Sequence, residues 1–156
     1  MKKRNSVILM ADDDADDVML VRDAFTEAGW RNAFHSVEDG KELMAYLLRT
    51  GDYAEASQSP RPDLILMDLN MPKLHGKDAL KEIKKAHDLR SIPVVILSTS
   101  NEEHNISECY CLGASAYIVK PTRFEELTQA ARLISGFWFQ LAELPSVMVH
   151  CAPAQD

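Results

Sequence analysis

Leu64-Ile65-Leu66-Met67-Asp68-Leu69-Asn70-Met71-Pro72 is the stretch on which the reading of the fold turns. Four consecutive apolar residues are too few for a helix and, lacking polar alternation, suit a strand covered on both faces. The run stops on a carboxylate, and Asn70 and Pro72 mark the turn that follows. The same pattern recurs along the chain. Val7–Ala11 stops on Asp12-Asp13-Asp14, Val94–Leu97 on Ser98-Thr99, and Ala116–Val119 on Lys120-Pro121. Ala33–Val37 carries His35 and Ser36, and this mixed character places it at a sheet edge.

Helical patterns fill the intervals. Asp14 is placed to cap a helix from about Ala15 to Ala28, stopped by Gly29. Lys41–Arg49, with Leu43, Leu47 and Leu48 on one side, is stopped by Gly51, and Lys77–Ala86 forms a third helix. Ser100 with Glu103, and Thr122 with Glu125, have capping-box spacing and predict the starts of the fourth and fifth helices. A βα unit repeated five times predicts an α/β fold with an open, parallel, doubly wound five-stranded sheet. Gly51 to Pro62 is a longish polar connection.

A chain of 156 residues, 46% of them hydrophobic, fits one domain with a sizeable core; residues 1–145 are read as that domain and 146–156 as a short tail. The apolar run after Met1-Lys2-Lys3-Arg4 is too short for a signal peptide or a membrane span. Cys109, Cys111 and Cys151 have no metal-ligand or CxxC spacing, so reduced thiols and a cytoplasmic location are expected. With 17 Lys and Arg against 24 Asp and Glu, the net charge of −7 repels duplex DNA. The local basic cluster of Lys77, Lys81, Lys84 and Lys85 reads as a solvated helix face, so no nucleic-acid partner is expected.

In an open α/β sheet, sites form outside the carboxyl ends of the strands. Asp12, Asp13, Asp68, Ser98 and Lys120 all stand at such ends. Several carboxylates brought together repel unless one takes a proton or a hard cation joins them. Mg²⁺ suits this donor set: Asp13 and Asp68 through carboxylates, Asp12 through water, and the backbone carbonyl near Asn70. No His or Cys is placed for zinc. Asp68 is then a nucleophile for phosphorus, Lys120 neutralises developing charge, and the Ser98 hydroxyl can hydrogen-bond a phosphoryl oxygen. Asp14, Asp16 and Asp17 are explained by helix capping and solvation.

The Asp12-Asp13 pair, Asp68-x-Asn70-Met71-Pro72, Gly76, Ser98, Tyr117 and Lys120-Pro121, in this order and spacing, resemble the receiver domains of two-component response regulators over about residues 6–135. The resemblance implies a flavodoxin-like sheet in strand order 2-1-3-4-5. It implies that Asp68 is the phosphoacceptor and that Asp12, Asp13, Asp68 and the Asn70 carbonyl form a Mg²⁺ site, with Mn²⁺ able to substitute. It further implies Ser98 and Tyr117 as a switch pair and a Lys120–Pro121 bond that is often cis. Such a receiver is a signalling module rather than an enzyme, although it catalyses its own phosphotransfer and dephosphorylation. Arg61 through Lys73, the long connection before them and the ending Phe137-Trp138…Leu144-Pro145 resemble stand-alone receivers, among them partners of bacterial phytochrome kinases. The implied partner is a sensor histidine kinase or phosphotransfer protein, with a bacteriophytochrome as the narrower reading. Thr99 is bulkier than the family's small residue at that position, which predicts slower exchange of the phosphoryl group. Thr122 replaces a common aromatic, and nothing physical is read from it.

Other functions of this fold fit less well. A phosphatase of the haloacid dehalogenase type needs a second carboxylate two residues after its nucleophile, and Asn70 stands there. A flavodoxin-like cofactor binder wants a hydroxyl- and amide-rich phosphate loop after the first strand, where Asp12-Asp13-Asp14 repels phosphate.

The fifth helix is expected to be extended. Leu127, Ala131, Ile134, Trp138 and Leu141 are spaced to pack on the sheet, while Leu133, Phe137 and Leu144 begin a second apolar stripe. Apolar surface on two faces predicts an interface, read as a homodimer through the fourth helix, fifth strand and fifth helix, with folding of the extension back onto its own domain as the alternative.

Overall fold

The computed structural model describes residues 5–145. Strands β1 (Val7–Ala11), β2 (Ala33–Val37), β3 (Leu64–Met67), β4 (Val94–Ser98) and β5 (Ala116–Val119) alternate with helices α1 (Ala15–Glu27), α2 (Gly40–Leu48), α3 (Gly76–Lys85), α4 (Glu103–Cys111) and α5 (Phe124–Ser135). All neighbouring strands run parallel, in the order β2-β1-β3-β4-β5.

The continuous apolar runs are explained by two cores, one on each face of the sheet. Leu9, Ile65, Met67, Val94 and Ile96 join one core with Leu43, Leu80 and Ile83 of α2 and α3. Their strand neighbours Ile8, Met10, Leu64, Leu66, Val95 and Leu97 join the other with Val21, Phe25, Leu127 and Ile134 of α1 and α5. Because side chains alternate along a strand, covering both faces requires apolar residues at every position. The edge strands depart from this: β2 is mostly half-buried, as its mixed sequence implies, and so is β5, whose sequence suggested full burial.

Several local expectations are corrected. Ser100 does not cap α4, because its hydroxyl takes Glu102 N–H (3.3 Å) and Asn105 Nδ2 (3.0 Å), and the helix starts at Glu103. Thr122 does not cap α5: the helix starts at Phe124 after Arg123, and Glu125 turns to Arg123 at 3.9 Å. Leu48 lies exposed at the end of α2, whereas Met44 and Tyr46 are buried. The Lys120–Pro121 bond is trans, the isomer an X–Pro bond intrinsically prefers.

The C-terminal helix is extended as expected, but Gly136–Leu141 is wound as a π-helix. Its wider turn shifts the register, so that Phe139 takes a buried place against the Trp30 ring, 4.6 Å between centroids. Trp138 is consequently only partly buried and Leu141 is exposed. Of the second stripe, Leu133 and Phe137 are exposed, while Leu144 folds back onto the core shared by α1 and α5. Cys151 and the tail 146–156 lie outside the described residues.

Candidate functional site

Backbone hydrogen bonds between neighbouring strand ends fix where the polar residues after β1, β3 and β5 stand. Asp12 N–H donates to Val37 O (3.1 Å), Asp68 N–H to Ala11 O (2.9 Å), and Lys120 N–H to Ser98 O (2.7 Å). Beyond β3, Gly76 N–H donates to Leu69 O (2.8 Å) and ties the start of α3 to the turn. A Cβ at Gly76 would stand 2.6 Å from Asp68 O and 2.7 Å from Leu69 Cα. Glycine is required there by close backbone approach.

Carboxylate oxygens of Asp12, Asp13 and Asp68 lie within 4.8 Å of one another. Asp12 is buried, and its Oδ1 accepts from Asp14 N–H (2.9 Å). Asp13 is exposed, and the half-buried Asp68 accepts at Oδ1 from Leu69 N–H (2.9 Å). Burial, more than any neighbour, holds the Asp68 carboxyl above its ordinary pKa; Lys120 opposes the shift while Asp12 and Asp13 add to it. The donor set is all hard oxygen and suits a small divalent cation. Asn70 is exposed two residues past Asp68, at the centre of a tight turn closed by Met71 N–H to Leu69 O (3.0 Å).

Lys120 reaches in from β5. Its Nζ is 3.0 Å from Asp12 Oδ2 and 3.0 Å from Asp17 Oδ2, with its side chain 9% exposed. Burial works to lower its pKa, but the carboxylates of Asp17 and Asp12 outweigh it and raise the ammonium above its ordinary value. Ser98 is fully buried, and its hydroxyl accepts from Ser100 N–H (3.2 Å). Tyr117 turns away from the carboxylates: its hydroxyl donates to Ser100 O (2.8 Å) and its ring packs with the α2–α3 core. Ser98 and Tyr117 are thus linked through Ser100, in the loop between β4 and α4.

The structure gathers Asp12, Asp13, Asp68 and Lys120, links Ser98 to Tyr117 through Ser100, leaves Asn70 exposed in the turn after β3, and adds two contacts that were missed. Asp17, assigned to solvation, turns inward to Lys120; its position in the first turn of α1, at the strand-end edge, was the available signal. Lys77, assigned to a solvated face, reaches Asn105 Oδ1 (2.7 Å) and Glu108 Oε1 (2.6 Å) of α4 and joins α3 to α4. The hydrogen bond holds the Lys77 pKa up and the Glu108 pKa down. No local sequence signal announces that pairing.

The model of the response regulator receiver domain matches residues 8–132. The chain is 36% identical to response regulator Rcp1 of Synechocystis over 140 residues, covering 90% of this chain and 93% of that protein. The solved Mn²⁺-bound form of Rcp1 superposes with a TM-score of 0.81, covering 90% of this chain and 99% of that one. The phosphorylated cyanobacterial phytochrome response regulator RcpA is 40% identical, with a TM-score of 0.84 over 92% of this chain and 100% of that one. A response regulator in red light signaling of R. palustris is 30% identical, with a TM-score of 0.86 over 91% and 99% of the two chains. Strand order, strand-end residues and these similarities agree: the chain belongs to the response regulator receiver family.

Proposed function

We propose that this receiver takes a phosphoryl group onto Asp68 from a phosphohistidine and passes the signal on by changing its protein contacts. The observation that carries the reading is the strand-end constellation: three carboxylates within 4.8 Å, with a buried ammonium on one of them. A carboxylate oxygen of Asp68 attacks phosphorus, the P–N bond to the donor imidazole breaks, and the electron pair leaves on nitrogen. Lys120 stands ready to neutralise charge on the transferring group, and the Ser98 hydroxyl is available to donate to one of its oxygens.

Asp12, Asp13 and Asp68 are the residues that would hold a divalent cation, with the Asn70 carbonyl as a further donor. Bound there, Mg²⁺ or Mn²⁺ would screen the carboxylates from the incoming phosphoryl oxygens. The all-oxygen donor set fits this, and the Mn²⁺-bound form of Rcp1 supports it by analogy. Self-catalysed transfer and dephosphorylation are read as properties of the same residues. The Ser98–Ser100–Tyr117 linkage is the proposed switch, since a hydroxyl drawn to the phosphoryl group would release Ser100 N–H.

The partner proposed is a sensor histidine kinase or phosphotransfer protein, and more narrowly a bacteriophytochrome, by likeness to RcpA and Rcp1. Residues 1–145 are proposed as one receiver unit with 146–156 as its tail, acting in the cytoplasm; among the described residues no helix is long and apolar enough to cross a membrane. The exposed Tyr110, Val119, Phe124, Leu133 and Phe137 support a homodimer through α4, β5 and α5. A monomeric mass at high concentration, with and without phosphorylation, would remove that part.

Intact-protein mass after acetyl phosphate and Mg²⁺ tests the central reading. An increase of about 80 Da, lost in Asp68→Asn and with EDTA, is expected. Wild-type protein that folds and binds Mg²⁺ yet gains no mass from acetyl phosphate or a phosphoramidate would overturn it.

A further inference from the structure

Lys120 is held by two carboxylates of different standing. Asp12 belongs to the trio within 4.8 Å of Asp13 and Asp68, so its charge is shared with whatever cation that trio binds. Asp17 lies outside the trio, on the first turn of α1, and gives Lys120 an equal 3.0 Å contact. Its placement is built in two steps. Asp14 caps α1 by accepting from Asp16 N–H (2.9 Å) and Asp17 N–H (3.2 Å), and the helix start so fixed turns the Asp17 side chain toward β5. The helix dipole alone does not account for Asp17, because the exposed Asp16 beside it satisfies the dipole equally well.

An ammonium has three N–H donors. Asp12 and Asp17 engage two, which leaves one for a further acceptor. A cation drawing on Asp12 would weaken the contact from Asp12 to Lys120, whereas the one from Asp17 would stay. We propose that Asp17 is a positioning residue, a metal-independent tether that keeps Lys120 directed at the phosphoryl group on Asp68. The assignment rests on Asp68 being the phosphoacceptor.

The test uses the full chain with Asp17→Asn and Asp17→Glu, reading three quantities. With acetyl phosphate as donor, an oxygen of Asp68 bonds to phosphorus and acetate departs with the electron pair of the broken P–O bond. The maximal rate of this step at saturating Mg²⁺ should fall about five- to tenfold in Asp17→Asn, the loss of one charge-assisted contact to the lysine. Asp17→Glu should recover at least about half of that loss, since the longer carboxylate can regain the ammonium. Mg²⁺ affinity should change less than about threefold, because Asp17 is no cation ligand. In the Mg²⁺-loaded, unphosphorylated protein, the Lys120 ammonium protons should exchange at least about tenfold faster in Asp17→Asn by ¹⁵N NMR.

A rate within twofold of wild type, or an unchanged ammonium exchange, overturns the tether. Mg²⁺ affinity falling as far as in Asp13→Asn overturns it too, by making Asp17 part of the metal site. Failure of wild-type protein to accept a phosphoryl group at all is a different result, and removes the phosphoacceptor reading along with the tether.

Discussion

Adding one methyl group at Gly76 should damage the site without altering any of its charges. The Cβ would stand 2.6 Å from Asp68 O, 2.7 Å from Leu69 Cα and 3.1 Å from Leu69 O, whereas ordinary contact starts near 3.4 Å. The start of α3 and the turn after β3 must therefore part by about 0.8 Å, and all three neighbours are backbone, so no rotamer change relieves the clash. The Gly76 N–H to Leu69 O bond, now 2.8 Å, lengthens with that separation. Overpacking of this kind costs about 1–3 kcal/mol, and alanine returns about 0.5–1 kcal/mol through helix propensity. A net loss of up to about 2.5 kcal/mol, centred near 1 kcal/mol, is expected in urea unfolding followed by circular dichroism. The Asp68 backbone shifts with the turn, so phosphoryl uptake from acetyl phosphate should slow by roughly 10- to 100-fold. Gly136→Ala is the control: its Cβ meets nothing within 4 Å and its backbone is helical (φ −63, ψ −46), so a gain of up to about 1 kcal/mol is expected. Gly76→Ala with stability within about 0.5 kcal/mol of wild type and an unchanged uptake rate would refute the reasoning.

Three further outcomes are expected. Burial raises the Asp68 pKa, so the metal-free fold favours its protonated form, and the stability this contributes is lost as pH rises through the raised value. Asp68→Asn should accordingly gain stability relative to wild type across that rise, and urea midpoints that stay parallel would contradict it. Phe139→Ala, which empties the place against Trp30, should cost about 3 kcal/mol, while Leu141→Ala on the exposed side should cost under about 0.5 kcal/mol; equal effects would argue against the π-helical register. Thr99 is exposed beside the buried Ser98, and Thr99→Ala should speed both phosphorylation and decay of the phosphoryl group; unchanged rates of both would set aside steric restriction by Thr99.

Much of this protein was legible because its decisive signals are local. An apolar run covered on both faces carries no polar alternation, so β1, β3 and β4 could be bounded nearly to the residue. Parallel strands must point the same way, so residues such as Asp12, Asp68, Ser98 and Lys120, each following an apolar run, had to meet at one edge of the sheet. Asp14 as the α1 cap was legible for the same reason, since its partners Asp16 and Asp17 lie within one turn.

What the sequence left open depended on partners distant along the chain. Ser100 has capping-box spacing, yet its carbonyl is engaged by Tyr117 and its hydroxyl by Asn105, and α4 begins later. Trp138 has the α-helical spacing to face the sheet, but the π turn gives the place to Phe139 against Trp30, in the loop just beyond the end of α1. Asp17 reads as one acid among several at a helix start until the fold brings Lys120, at the end of β5, to the first turn of α1. By itself the sequence determined the elements, their direction and the residues at their ends, since these follow from spacing within a few residues. Only the tertiary structure decided which carboxylate meets which ammonium, because a contact of 3.0 Å between residues 103 positions apart exists only once the intervening chain has folded.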